Sequence, residues 1–207
     1  MGANIGYDSL LGSAAVGATG SVVAIEPSPT TFRRLCKNLT LNHATNVRTV
    51  CAAITASSCT VPLYRGFPGN IGAASLVKDR GNGIEGLVSG IAMADALLPE
   101  ERSRLRLIKI DIEGAEQPLL EYFLVSLSQY RDDLEIIVEI DPTMYRGATL
   151  TEIFERFAAL GFKAWRVPNA YDSIDDYLDF SRAASPEPLT LPLLTRQDIL
   201  FSKTFPD

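Results

Sequence analysis

Val22-Val23-Ala24-Ile25-Glu26 is a nearly continuous apolar run that stops on an acid. A strand that is apolar on both faces needs cover on both sides, the pattern of a parallel sheet flanked by helices. About twenty residues upstream stands a glycine-rich turn, Gly2-Ala3-Asn4-Ile5-Gly6-Tyr7, that opens a helix. Glycines in such a turn let the backbone approach a ligand, because no Cβ stands in the way. Asn4 tolerates a left-handed conformation better than most residues. Glu26, at the carboxyl end of its strand, can accept hydrogen bonds from both hydroxyls of a ribose. Together these residues point to a nucleotide-type cofactor site. The same residues also fit an ordinary turn followed by a solvated glutamate.

Two ligand families use this geometry. Nicotinamide dinucleotides call for G-x-G-x-x-G, so that the pyrophosphate sits on the helix N-terminus. The chain has G-x-N-x-G over residues 2–6 and no third glycine in that register. S-adenosylmethionine carries no phosphate and suits such a turn. An oxidoreductase linked to NAD is therefore the weaker reading.

The rest of the chain bounds the choice. Its 207 residues suggest one domain, residues 1–207, with room for a sizeable core. The net charge of −6 and pI near 4.9 repel phosphate backbones and exclude nucleic acid as a partner. No apolar run reaches the length of a membrane span, and Met1 leads straight into the glycine turn without a leader pattern. Cys36, Cys51 and Cys59 are odd in number and lack metal spacing, and His43 is alone. A zinc site and a disulfide framework are thus excluded, and a reducing cytoplasm is the expected setting.

Strands and helices alternate along the chain. Residues 7–16 read as a short helix with Leu10, Leu11, Ala14 and Ala15 toward a sheet, ended by Gly17 to Gly20. Ser28 is a candidate N-cap with Pro29 at the first helical position. The helix they open carries Phe32, Leu35, Cys36 and Leu39 on one face. Strands are expected over 46–51, 60–64 (at an edge or in a hairpin), 106–111, 134–141, 162–167 and 199–202. Helices are expected over 92–98, 113–124 (starting near Gln117 because of Pro118) and 149–160. Residues 185–194 are proline-rich and extended. Residues 65–90 hold seven glycines and read as a loop covering the acceptor side. The pattern is an open, mostly parallel α/β sheet with Glu26, Cys51, Asp111 and Glu139 at the carboxyl edge, where ligands bind.

The stretches Gly-Ala-Asn-Ile-Gly-Tyr, Val-Val-Ala-Ile-Glu-Pro-Ser-Pro and Ile-Lys-Ile-Asp-Ile-Glu-Gly-Ala-Glu resemble the FkbM family of S-adenosylmethionine-dependent methyltransferases. The resemblance runs over residues 2–142, and Asn38, Asn42, Cys51-Ala52-Ala53 and Ala74-Ser75-Leu76 also fit it. It implies a class I Rossmann-like three-layer α/β/α methyltransferase fold and O-methylation of a hydroxyl on a sugar or polyketide-type acceptor. It places cofactor binding at Gly2, Ala3, Asn4, Gly6, Tyr7, Glu26, Pro27, Ser28, Cys51, Ala52 and Asp111. Two departures stand out. Family members have a strand ending in an acid just before the glycine turn, where this chain has only Met1. Strands 21–26 and 106–111 are then expected to show open edges or to pair with each other, and activity is expected to suffer. Ala94-Asp95 also stands where the family often has paired aspartates.

Methyl transfer to a hydroxyl gains from a base, and Asp111 and Glu113 are the candidates. Asp111 also suits an N-cap, and Glu113 and Glu116 the first turn of a helix. Asp111, Glu139 and Asp141 form a weaker candidate set for Mg²⁺. Tyr145, Trp165 and Tyr171 are candidates for stacking on an acceptor in the variable part, residues 143–207. The leading reading is a methyltransferase acting on a small-molecule acceptor. The alternative is a catalytically impaired fragment of that fold serving as a binding module. An open central edge would favour a homo-oligomer.

Overall fold

The structure is a computed structural model that describes residues 1–66, 74–78, 83–145, 149–168 and 185–206. The chain divides into two compact units, Met1–Arg102 with Asp111–Leu119, and Ser103–Ile110 with Leu120–Asp207. Helices alternate with strands in the Rossmann-like α/β manner expected from the sequence.

In the first unit, α1 (Tyr7–Val16) leads into β1 (Val22–Ile25), which pairs in parallel with β2 (Val47–Val50). Between them runs α2 (Pro29–Leu41), started by Ser28, whose hydroxyl oxygen accepts the Thr31 N–H with Pro29 in the first turn, as expected. Leu35 and Leu39 of α2 close with Ala24 into a small core, joined by Ala3, Leu10, Phe32, Ala44 and Val47. The expected apolar face of α1 is corrected. Leu10 joins this core, but Leu11, Ala14 and Ala15 are exposed and the buried residue is Ser9. The side-chain amide of Asn46 fixes the roll of this helix. It accepts the Ser13 hydroxyl and donates to the Ser13 and Gly17 carbonyls, at 3.1 and 3.0 Å.

A second sheet of the same unit has the order β3-β5-β4: β3 (Ala53–Thr55) is parallel to β5 (Ile84–Ala92), and β4 (Cys59–Tyr64) is antiparallel to it. The strand expected over 60–64 is thus an edge strand, as read. The loop expected over 65–90 is corrected: residues 84–90 belong to the central strand of this sheet. One of its glycines, Gly90, is closely packed, whereas a Cβ on Gly86 would meet open space. A Cβ on Gly90 would fall 2.7 Å from Thr55 Oγ1 and 2.9 Å from Cys59 Sγ. Residues 67–73 and 79–82 lie outside the described residues. The helix expected over 92–98 is the single turn α3 (Met93–Ala96), and a further helix not expected from the sequence, α4 (Pro99–Arg104), follows it.

In the second unit, β6 (Leu107–Ile110) is the edge strand of a sheet ordered β6-β7-β10-β8-β9, with β7 (Glu135–Ile140), β8 (Lys163–Val167), β9 (Glu187–Pro188) and β10 (Gln197–Ser202). The helix expected to start near Gln117 does so: α5 spans Glu116–Ser126, beginning in the first unit and ending in the second. α6 (Thr149–Ala159) buries Ile153, Phe154 and Phe157. Phe157 stacks on Phe201 at 4.3 Å and meets Phe162 edge-on at 5.5 Å. β10 is paired along both edges, by β7 and β8, and is buried along most of its length.

The sheet is mixed, which corrects the mostly parallel expectation. Among the described residues three strand pairs are parallel and four antiparallel. The antiparallel pairs are β4 with β5, β8 with β9, and β10 with both β7 and β8. β1 and β6 are both edge strands of their own sheets, one of the two outcomes the sequence leaves open.

Phe157→Ala removes a fully buried ring. It should cost about 3–5 kcal/mol of stability, read as a lower midpoint in urea unfolding followed by circular dichroism.

Candidate functional site: an acid-pinned glycine turn

Every residue of the opening turn is tied to a neighbour within the first unit. The Ala3 N–H donates to the Ile25 carbonyl at 2.9 Å, and the Gly6 N–H donates to the Ala3 carbonyl. The Ile5 carbonyl accepts the Asn38 side-chain amide at 2.8 Å. Gly2, Asn4 and Gly6 all have positive φ, at 71°, 48° and 99°. Gly2 is also held by contact: a Cβ there would fall 1.6 Å from the Asp111 carbonyl oxygen. On the same side the Asp111 N–H donates to the Met1 carbonyl at 3.2 Å.

Glu26 is the centre of this arrangement. It is 5% exposed. Its Oε2 accepts the Asn4 N–H and its Oε1 accepts the Ser28 N–H, each at 2.9 Å. One carboxylate thus fixes both the turn before α1 and the turn before α2. Burial pushes this carboxyl above its ordinary range. The N–H groups of Ser28 and Asn4 pull it back, Glu85 pushes it further up, and the α-amino group pulls it down. Each carboxylate oxygen has two acceptor positions, and these two bonds use one on each.

The turn after β6 is built on a second buried acid. Glu113 and Gly114 have positive φ, at 55° and 102°. Glu116, 3% exposed, accepts the Gly114 N–H at 3.0 Å and the Ile112 N–H at 3.2 Å through Oε1. The Ser75 hydroxyl donates to the Glu113 carbonyl at 2.7 Å. Burial raises the Glu116 carboxyl. The N–H groups of Gly114, Glu116 itself and Ile112 oppose the shift, and Asp111 adds to it.

The structure brings Gly2, Ala3, Asn4, Gly6, Glu26, Ser28 and the Asp111 backbone together through these bonds and contacts. Tyr7 begins α1 and is 37% exposed. Pro27 is half-buried between Glu26 and Ser28, and Ala52 is buried. Cys51 is largely exposed; partial burial, then Glu26, then Cys36 push its thiol up, so it stays neutral. Asp111 and Glu113 are half-buried. Asp111 precedes the start of α5 and is not its N-cap. In the second unit, Tyr145 and Trp165 are core residues rather than an exposed stacking face. Tyr171 lies outside the described residues. Among the described residues no group of three or more His, Cys, Asp or Glu stands where it could hold a metal ion, the set Asp111, Glu139 and Asp141 included. No described helix is long and apolar enough to cross a membrane.

The contacts of three residues of the site escape a reading of the sequence. Ser75 falls in the Ala74-Ser75-Leu76 stretch that fits the family resemblance, but nothing there gives its partner, and Glu85 lies in what reads as loop, with no spacing to mark it. Glu116 reads as a helix-dipole residue, whereas it closes back on its own turn. The available signal was the Gly114 that makes such a reversal cheap.

Gly2→Ala should lower the melting temperature and cost about 1–3 kcal/mol, because the Asp111 carbonyl must give way. Gly17→Ala, with open space around the added methyl, should lose less; both are read by thermal circular dichroism. Glu116 holds its proton more tightly folded than unfolded. Its contribution to stability is therefore fully present below the ordinary value of 4.5 and is lost as pH rises through the raised value. Glu116→Gln keeps an acceptor for the two N–H groups and removes the titration. Its unfolding free energy in urea should decline less steeply than wild type between pH 4.5 and neutrality.

Comparison with known proteins follows the same lines. A model of the Methyltransferase FkbM domain matches residues 1–178. No curated protein matches the chain. A solved precorrin-6y C5,15-methyltransferase from Geobacter metallireducens is similar at 14% identity and a TM-score of 0.49, over 98% of this chain and 78% of that one. A protein presumed to be a transferase, from Pyrococcus horikoshii, is similar at 14% identity and a TM-score of 0.39, over 98% of this chain and 55% of that one. With its turn, its strand-end acid and most of its length matched, the chain belongs to the methyltransferase FkbM domain family.

Proposed function

We propose that this methyltransferase-family chain uses S-adenosylmethionine to methylate a hydroxyl of a small acceptor, a sugar or polyketide-type compound, in the cytoplasm. One observation carries the reading. The Glu26 carboxylate is anchored by two backbone N–H groups and still has two acceptor positions. A ribose cis-diol supplies the matching two donors. The residues present therefore fit the cofactor. Gly2, Ala3, Asn4 and Gly6 bring backbone close to it, Glu26 takes the ribose, and Pro27, Ser28, Cys51 and Ala52 border the adenosine. Tyr7 covers the methionine part, and Asp111 closes the far side. Homo-oligomer formation through open strand edges belongs to the same reading.

The cofactor supplies an electrophilic methyl group on a positively charged sulfur. The chain's own work is to hold the acceptor oxygen in line with that carbon, which offsets roughly 7–11 kcal/mol of barrier. In such a transfer the electron pair of the broken carbon–sulfur bond would leave with sulfur, and the acceptor oxygen would need to lose its proton. The hydroxyl proton passes to a carboxylate, Asp111 or Glu113. The left-handed backbone at Glu113, held by Ser75 and Glu116, fixes the position of that carboxylate. Such a base contributes about 10²–10⁴-fold.

Calorimetry with S-adenosylhomocysteine tests the cofactor assignment. Binding is expected, and Glu26→Ala should weaken it about 10–100-fold, the equivalent of one charge-assisted hydrogen bond. No heat from a folded wild-type sample would sink the reading. With a labelled methyl donor and a panel of sugar and polyketide hydroxyls, Glu113→Gln should lower transfer about 10²–10⁴-fold while S-adenosylhomocysteine binding persists, whereas Asp111→Asn should lower transfer and weaken that binding as well.

A further inference from the structure

Ser28 is 1% exposed, and each of its polar groups has a partner. Its N–H donates to Glu26 Oε1, its hydroxyl oxygen accepts the Thr31 N–H, and its hydroxyl proton goes to Glu85 Oε1 at 2.5 Å. A serine hydroxyl has one proton. Glu85, on β5, therefore decides where that proton points. Without Glu85 a buried hydroxyl must find another acceptor, since an unsatisfied one is costly. The carboxylate already bonded to Ser28 is Glu26, and a hydroxyl donated there would fill a position that a ligand needs.

We propose that Glu85 is a positioning residue for the ribose-binding carboxylate: it draws the Ser28 proton to itself, so that Ser28 meets Glu26 through its N–H alone and the free acceptor positions of Glu26 stay open. This inference rests on the ribose role given to Glu26 above. Glu85 also sets a second negative charge near Glu26. The other charged or titratable groups that face Glu26 are the α-amino group of the opening turn and the Cys51 thiol after β2. The pair of acids suits a ligand that brings neutral hydroxyls and disfavours one that brings a phosphate to that position.

The test is calorimetry of S-adenosylhomocysteine against wild type, Glu85→Ala and Glu85→Gln across a pH series, with each variant checked by circular dichroism. Glu85→Ala should bind about tenfold more weakly at neutral pH. Glu85→Gln keeps an oxygen for the Ser28 proton and should restore that affinity. Its loss of binding on acidification should come at lower pH, on the order of half a unit, because Glu26 no longer has a negative neighbour to keep it protonated. A residue that merely supports the fold would not move this pH profile. If Glu85→Ala does not fold, the Glu85→Gln profile decides alone. Wild-type binding with superimposable variant curves overturns this inference and leaves the ribose role standing. Failure of the wild-type chain to bind overturns both.

Discussion

The two hydrogen bonds of Glu26 are the interaction on which the first unit depends. A carboxylate that accepts the N–H of Asn4 and of Ser28 joins the opening turn to the start of α2. The strained φ at Asn4 and the Ser28 cap then follow from one side chain. Neutral groups would not serve as well, because an amide presents a donor where both partners already donate. The acid at the end of β1 is thus structural before it is functional. The ligand role proposed for it would use only the capacity the fold leaves over.

Much of this was legible in the sequence because it rests on local rules. The Ser28-Pro29 start of α2 and the buried run ending at Glu26 each announce themselves within a few residues. Failures came where tertiary contact overrides local signal. Gly86 and Gly90 read as loop, but Gly90 is small because Thr55 and Cys59 press against it. Leu11, Ala14 and Ala15 read as a buried face, but Asn46 and the αL start at Gly6 roll α1 so that Leu10 alone of that set meets the core. Parallel pairing read correctly wherever a helix intervenes. It failed at β10, which runs antiparallel to both β7 and β8, and at β9 against β8.

The site itself was half legible. Glycines and a strand-end acid form a pattern in sequence, so Gly2 to Gly6 and Glu26 could be named. Ser75, Glu85 and Glu116 act through contacts that no spacing encodes, the first two across 38 and 57 residues. Such residues turn a pattern of groups into a fixed geometry. They are invisible until the chain is folded.

Two buried acids support two turns, and comparing them separates support from binding. Removing a carboxylate from water costs several kcal/mol, against roughly 1.5–3 kcal/mol for each charge-assisted bond. In both Glu26 and Glu116 burial is the largest influence and the carboxyl is raised despite the N–H groups around it. Both therefore carry a cost at neutral pH that holding a turn does not by itself require. For Glu116 three N–H groups converge from its own turn, Gly114, its own and Ile112, and the return is a fixed position for Glu113. For Glu26 two N–H groups converge, and a negative neighbour, Glu85, is kept close by through Ser28. A fold selected for stability alone would have no use for that second charge. Its presence makes physical sense if the remaining acceptor positions of Glu26 are reserved for donors that arrive with a ligand.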